Sequence, residues 1–207
     1  MNYLEIEREM TKTYNAIATK YEKEAQEDWK DKEYVDGFLN YINKNDSILD
    51  IACGTGELLK YYNDKGFRTT GIDISEEMVN ISKTKIPNAK VINMSLYDID
   101  KLQEKFDAIS ATFTLVHIPK EKINEFIKKV SERLNEDGIF FTVFTTSLQE
   151  GIQEEPLNRN YKYYAINYST EEISTLLIYN GFEILENIEV TRINKSDVGI
   201  IVARKLK

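Results

Sequence analysis

The chain has one cysteine, Cys53, and one histidine, His117. A lone thiol excludes an internal disulfide framework and a cysteine-rich zinc site, and a lone imidazole leaves little from which to build any other transition-metal site. No metal is expected. Three prolines and nine glycines leave few break points, so long elements with short connections are expected. No apolar run approaches the ~18–20 residues that cross a bilayer. The opening Met1-Asn-Tyr-Leu-Glu-Ile-Glu-Arg-Glu lacks the apolar stretch of a signal peptide, so a cytoplasmic protein without membrane attachment is expected. Positive charge is short as well: 27 Lys and Arg stand against 35 Asp and Glu, a formal charge of −8. A field of that sign repels polyphosphate, and a nucleic-acid partner is not expected.

What is present suffices for a core. Apolar residues make up 42 % of the 207 residues and charged ones 30 %, and a folded chain of this size buries roughly 70 % of its unfolded surface. One domain over 1–207 is expected, as a monomer or homodimer. Met10, Tyr14, Ile17 and Tyr21 are spaced 4, 3 and 4 and make one face of a helix over 2–26. A second helix over about 31–44 carries Tyr34, Val35, Phe38, Leu39 and Ile42. Together these form a helical N-terminal cap.

From residue 45 the texture alternates. Strands are predicted at Ser47–Ile51, Phe67–Asp73, Lys90–Asn93, Phe106–Ala111 and Ile139–Phe144. The helices between them include one after Gly56 and one N-capped by Ser75 with Glu76 and Glu77 in its first turn. Another aligns Ile123, Phe126, Ile127, Val130 and Leu134 on one face. Ser169-Thr-Glu-Glu172 is a capping box opening a last helix, and Gly181 closes it. Two final strands, about 182–191 and 197–204, have no helix between them and so pair antiparallel. The fold class is therefore α/β: seven strands, mostly parallel, helices on both faces and a C-terminal antiparallel hairpin. Residues 145–168 show no clear periodicity, and an unstructured insertion of that length is usually functional.

In an open parallel sheet, ligands bind beyond the carboxyl ends of the strands. The first strand ends in Leu49-Asp-Ile-Ala-Cys-Gly-Thr-Gly56, where Gly54 and Gly56 permit a tight turn and the next helix presents free N–H groups. The second ends in Asp73, a carboxylate placed to take a ribose diol. A dinucleotide fingerprint G-x-G-x-x-G fails here, because its third glycine position is Leu59. Asp50 also opposes a pyrophosphate but suits an ammonium. A ribose at one end and an amino acid at the other describes S-adenosylmethionine.

The runs that carry this reading resemble a known family. Ile48-Leu-Asp-Ile-Ala-Cys-Gly-Thr-Gly56 is similar to the first motif of class I S-adenosylmethionine-dependent methyltransferases, and Gly71-Ile-Asp-Ile-Ser-Glu-Glu-Met78 to their second-strand motif. Phe106-Asp-Ala-Ile with Leu115-Val-His-Ile-Pro119, Leu134-Asn-Glu-Asp-Gly138, and Tyr168 to Ile173 with Gly181-Phe182 resemble later family segments in the right order. Residues 14–21 resemble the lid helix of small-molecule members. The resemblance implies a Rossmann-like fold, a methyl donor that leaves as S-adenosylhomocysteine, and roles for particular residues. Asp50, Ala52, Cys53, Gly54 and Gly56 would hold the methionine end and Asp73 the ribose. Ile74, Met78, Ser95 and Leu96 would surround the adenine, while Ala111 and Thr112 would lie near the sulfonium and Tyr14 and Tyr21 would close over it. Ala52 stands where the family often has glycine. Ser95 stands where an aspartate often accepts from the adenine amino group, so compensation by a neighbour such as Asp98 is expected.

Other residues admit two readings. Cys53 is a small buried packing residue unless something lowers its pKa. His117 either acts as a base or orders the loop after the fourth strand. The acidic run 150–155 reads as a charged loop surface. The segment 158–168, with Arg159, Tyr161 and Tyr164, either packs its rings on the sheet edge or forms a substrate wall joined by Trp29, with Arg159 pairing an acidic group. The expected activity is methyl transfer to a small-molecule acceptor. A methyltransferase acting on tRNA or protein, a nucleotide-binding oxidoreductase and a non-catalytic S-adenosylmethionine-binding protein are the alternatives.

Overall fold

The computed structural model describes residues 2–25, 32–192 and 196–207. The N-terminal helix α1 spans Tyr3–Ala25 and α2 spans Lys32–Leu39. Helix α2 is shorter than the apolar spacing predicts: the chain leaves helical geometry after Leu39, while Tyr41 and Ile42 still pack on the same core. Strand β1 (Ser47–Ile51), α3 (Glu57–Asp64), β2 (Arg68–Asp73), α4 (Glu76–Lys85) and β3 (Lys90–Asn93) follow. Then come β4 (Phe106–Thr112), α5 (Lys120–Arg133) and β5 (Leu134–Thr145). A small hairpin, β6 (Gly151–Glu154) and β7 (Lys162–Ala165), precedes α6 (Thr170–Tyr179), β8 (Phe182–Val190) and β9 (Val198–Lys205).

The seven-stranded sheet runs in the order β3-β2-β1-β4-β5-β9-β8. The first five strands are parallel, and β9 inserts antiparallel between β5 and β8. Strand order reverses between β1 and β4, so the chain diverges from that point in both directions and leaves a crevice at the carboxyl ends.

Both faces of the sheet are covered, and the side-chain period of two shows it. In β9, Val198, Ile200 and Val202 pack with Val35, Phe38 and Tyr62 on one face, while Ile201 and Ala203 pack with Phe126, Ile127 and Leu177 on the other. Helices α2 and α3 cover the first face; α5 and α6 cover the second. Ser75 caps α4 by accepting from the Met78 N–H at 3.2 Å, and Ser169 and Glu172 form the reciprocal capping box of α6. Leu134, expected on the α5 face, lies one residue past that helix, yet it is buried in the same core.

The insertion is not structureless. Its ends pair as β6 and β7 in antiparallel register from Gly151↔Ala165 to Glu154↔Lys162. Helix α1 rests on this hairpin through Thr13, whose Oγ1 donates to the Lys162 carbonyl at 2.6 Å, and through Lys20, whose Nζ donates to the Leu157 carbonyl at 2.6 Å.

Helix α2 is joined to the sheet chiefly by Phe38, fully buried and stacked on Phe141 at 4.8 Å between centroids and 3° between planes. Phe38→Ala should cost about 3–5 kcal/mol, the usual range for an aromatic-to-alanine core truncation. Urea unfolding monitored by circular dichroism would measure it.

Candidate active site

The carboxyl ends of β1, β2, β3 and β4 open into one cavity of about 880 Å³, a figure that includes the open space at its mouth. Ala52 and Gly54 after β1, Asp73 ending β2 with Ile74 next to it, Met94, Leu96 and Tyr97 after β3, and Thr112 ending β4 with Phe113, Thr114 and His117 beyond it form its floor and sides. Helix α1 roofs it with Ile6, Glu7, Met10, Tyr14 and Tyr21, and α4 adds Met78.

Asp73 organises the floor. Its Oδ2 accepts from the Gly54 N–H at 2.9 Å and its Oδ1 from the Ser75 N–H at 2.8 Å. Burial pushes its carboxyl pKa up, partly offset by the backbone N–H groups of Ser75, Gly54 and Ile74. Each oxygen keeps acceptor capacity beyond those bonds. The turn beside it is left-handed at Ala52 (φ 57°), Gly54 (φ 53°) and Gly56 (φ 85°). A β-carbon at Gly54 would approach only Tyr21 Cε1, at 3.9 Å, whereas one at Gly56 would fall 2.4 Å from Ser82 Oγ. Gly54 therefore shapes the cavity floor, and Gly56 lets α3 approach α4. Ala52 holds a conformation that suits glycine, with its methyl on the cavity wall.

Asp50 does not line the cavity. Its carboxylate is buried, accepts from Ser110 Oγ at 2.6 Å, and has its pKa pushed up to about 7, chiefly by burial. Cys53 is buried against Leu59, Val79, Ile86 and Val91, and burial pushes its thiol pKa well up, so it packs rather than reacts. Ala111 is fully buried within the core below Thr112. Ser95 is N-cap to the turn that follows β3: its Oγ accepts from the Tyr97 N–H at 3.1 Å and donates to Glu7 on α1. Asp98 is not on the wall; it pairs with Lys101.

His117 is held at both nitrogens. Its Nδ1 lies 2.7 Å from the Tyr164 carbonyl, which only accepts, so Nδ1 carries the proton. Its Nε2 then accepts from the Tyr14 hydroxyl at 2.8 Å. Burial lowers the imidazole pKa below its ordinary 6.5, and burial raises that of Tyr14 well above 10.0. Both groups are neutral near pH 7.

The insertion places its polar groups differently from the expectation. Arg159, Tyr161 and Tyr164 do not line the cavity: the chain turns between β6 and β7 at residues 155–161, which leaves Arg159 exposed in that turn. Tyr164 meets the site through its backbone carbonyl alone. Trp29 lies outside the described residues. Sequence reasoning missed Ile6, Glu7, Met94, Tyr97, Phe113 and Thr114. Ile6 and Glu7 extend the Met10–Tyr14–Tyr21 stripe by one helical turn, but the carboxylate of Glu7 disguises it. Phe113 reaches the wall through a left-handed backbone (φ 54°) that its sequence does not announce.

Among the described residues no cluster of three or more His, Cys, Asp and Glu is placed to hold a metal, and no helix is long and apolar enough to cross a membrane. A glycine turn, a carboxylate at the next strand end and an apolar slot beyond it define a nucleoside-binding α/β protein. Residues 21–187 match the methyltransferase-domain family, and the chain belongs to that family, in its class I, S-adenosylmethionine-dependent branch. An uncharacterized methyltransferase of Alkaliphilus oremlandii is 28 % identical over 149 residues, 66 % of this chain and 68 % of that one. A ubiquinone/menaquinone biosynthesis C-methyltransferase of Campylobacter jejuni is 24 % identical over 152 residues, 67 % of this chain and 64 % of that one. In fold, the chain resembles the 1,6-didemethyltoxoflavin-N1-methyltransferase of Burkholderia thailandensis, solved with 1,6-didemethyltoxoflavin and S-adenosylhomocysteine: TM-score 0.73 at 16 % identity, covering 100 % of this chain and 92 % of that one.

Asp50 carries a measurable consequence. Its folded-state pKa is raised, so the carboxyl favours the folded protein when protonated and opposes it increasingly as pH climbs from 3.8 to about 7. Asp50→Asn should stabilise the ligand-free protein by a few kcal/mol at pH 8, since each tenfold change in an acidity constant is worth about 1.4 kcal/mol, and by almost nothing at about pH 3.5. Denaturant titrations at the two pH values would test the difference.

Proposed function

We propose that this protein transfers the methyl group of S-adenosylmethionine to a small, uncharged and largely apolar acceptor. The observation that carries this reading is the cavity itself. It joins the Gly54 turn and the Asp73 carboxylate, and its wall, among the described residues, bears two carboxylates, Glu7 and Asp73, but no lysine or arginine. Such a wall suits a cationic donor and disfavours a second anion, whether pyrophosphate, phosphate or acceptor carboxylate. That argues against a dinucleotide cofactor and against the tRNA alternative, whose phosphates need cations. The Burkholderia protein was solved with the small molecule 1,6-didemethyltoxoflavin bound, and the name of the Campylobacter protein places it in ubiquinone/menaquinone biosynthesis.

The residues fit the donor. Asp73 retains acceptor capacity for a ribose diol, and Ile74, Met78, Met94 and Leu96 give the apolar slot that a purine needs. Asp50 is a buried carboxylate held by Ser110, and the nearby ammonium of the methionine end would supply the missing counter-charge. When bound, S-adenosylmethionine supplies an electrophilic methyl on a positively charged sulfur. The leaving thioether is neutral, so the protein's task is alignment and exclusion of water rather than stabilising a leaving anion. Helix α1 does the excluding.

Tyr14 and His117 set the proton chemistry. Tyr14 already donates to His117 Nε2, so its oxygen offers lone pairs to a proton on the acceptor. Passing that proton to Tyr14 while Tyr14 passes its own to Nε2 leaves a neutral phenol and an imidazolium. His117 thus serves a hydroxyl or carbon acid acceptor through Tyr14, not directly.

Asp73→Ala should weaken S-adenosylhomocysteine binding by at least about a hundredfold, since each hydrogen bond to a charged group is worth roughly 1.5–3 kcal/mol; an unchanged Kd in calorimetry removes the ribose role. A deuteromethyl-labelled donor incubated with cell extract and read by mass spectrometry would identify the acceptor. With that acceptor, Tyr14→Phe and His117→Gln should slow transfer alike, and an unslowed Tyr14→Phe enzyme would exclude the relay.

A further inference from the structure

The base end of the cavity has an edge that the sequence leaves unexplained. Ser95 stands at the exit of β3 where the family resemblance implies a carboxylate, and Asp98, the anticipated substitute, pairs with Lys101 instead. The structure supplies a carboxylate from elsewhere in the chain. Glu7, 88 positions earlier and on the roof helix, lines the cavity, and one of its oxygens accepts from Ser95 Oγ. Ser95 gives its one proton to Glu7 and accepts the Tyr97 N–H at 3.1 Å, which leaves a single lone pair on a neutral hydroxyl, a weaker acceptor than a carboxylate. Glu7 has spare capacity, because a carboxylate offers about four acceptor positions and Ser95 fills one.

The part of the cavity lined by Met94 and Leu96 with Ile74 and Met78 is apolar. On the S-adenosylmethionine reading, a ribose bound at Asp73 would leave this apolar part of the cavity for the base. Polar chemistry at the far edge is then what distinguishes one purine from another. A carboxylate accepts, so it takes a base presenting an exocyclic amine and opposes one presenting a carbonyl.

Resting on the S-adenosylmethionine reading above, we infer that Glu7 reads the 6-amino group of the donor's adenine, with Ser95 as the hydroxyl that positions it. Recognition of the base thereby comes from the roof rather than the floor. The base contact then forms only when α1 is seated. Its seat is itself polar and specific: Asn15 Oδ1 accepts from Ser75 Oγ at 2.7 Å and from the Glu77 N–H at 3.2 Å, and Lys85 pairs with Glu22 at 2.7 Å. Cofactor discrimination and closure of the cavity are one event in this arrangement.

The test compares S-adenosylhomocysteine with S-inosylhomocysteine, which differs by a carbonyl in place of the 6-amino group, using calorimetry on the full chain. The unaltered protein should prefer the adenosyl compound by about tenfold or more. Glu7→Gln, whose amide both donates and accepts, should bring the two affinities within about threefold of each other while leaving the unfolding midpoint of the ligand-free protein unchanged. Glu7→Gln combined with Ser95→Asp should regain the preference, because the acceptor then returns on the floor side. If Glu7→Gln keeps the original preference, or the unaltered protein binds both compounds equally, the role of Glu7 is overturned and the donor assignment stands. If the unaltered protein binds neither compound, both fall together.

Discussion

Asp73 holds two chain segments at once, and the site depends on that double hold. Its carboxylate accepts one backbone N–H from the turn after β1 and another from the start of α4. It adds to the backbone bond from the Cys53 N–H to the Ile72 carbonyl at 2.9 Å, which also ties the turn to β2, and to the Ser75 cap at the start of α4. The cost is a desolvated acid, and the backbone donors offset only part of it. A group pressed in this way toward protonation is well prepared to accept further hydrogen bonds from a ligand, because each one restores solvation lost on folding.

A second buried acid, Asp50, is balanced less well. Ser110 donates to it, and the neighbouring negative charge of Asp73 adds to the penalty of burial. The burial of Asp50 favours the neutral form, and a cation bound in the adjoining cavity would favour the charged one. Strain of another kind recurs at Ala52 and Phe113, two non-glycine residues in left-handed backbone whose side chains face the same cavity. Polar and conformational strain thus collect around one space, as functional sites commonly show.

The roof is built differently from the floor. Floor residues come from strand ends, whose positions the sheet register dictates. The roof is one long helix whose contacts include hydrogen bonds to side chains and carbonyls of the β6–β7 insertion, α4 and the turn after β3. Ile17 and Ala18 add an apolar contact to Met78. Ile6 and Met10 are buried as well, so the cover combines an apolar stripe with these polar contacts.

By itself the sequence determined the α/β alternation, the seven strands, the capping of α4 and α6, and the residues at the ends of β1 and β2. Those features rest on local periodicity, turn chemistry and short spacing, which act within a few residues. It also placed Tyr14 and Tyr21 on a single helical face. Tertiary structure decided which distant groups met: Glu7 with Ser95, Tyr14 with His117, and Tyr164 through its carbonyl rather than its ring. It also removed Arg159 and Tyr161 from the wall, because the insertion folds back into a hairpin whose strands are too short for its periodicity to register. Side chains separated by 88 or 103 positions meet only after sheet order and helix docking are settled, and no local pattern encodes that encounter.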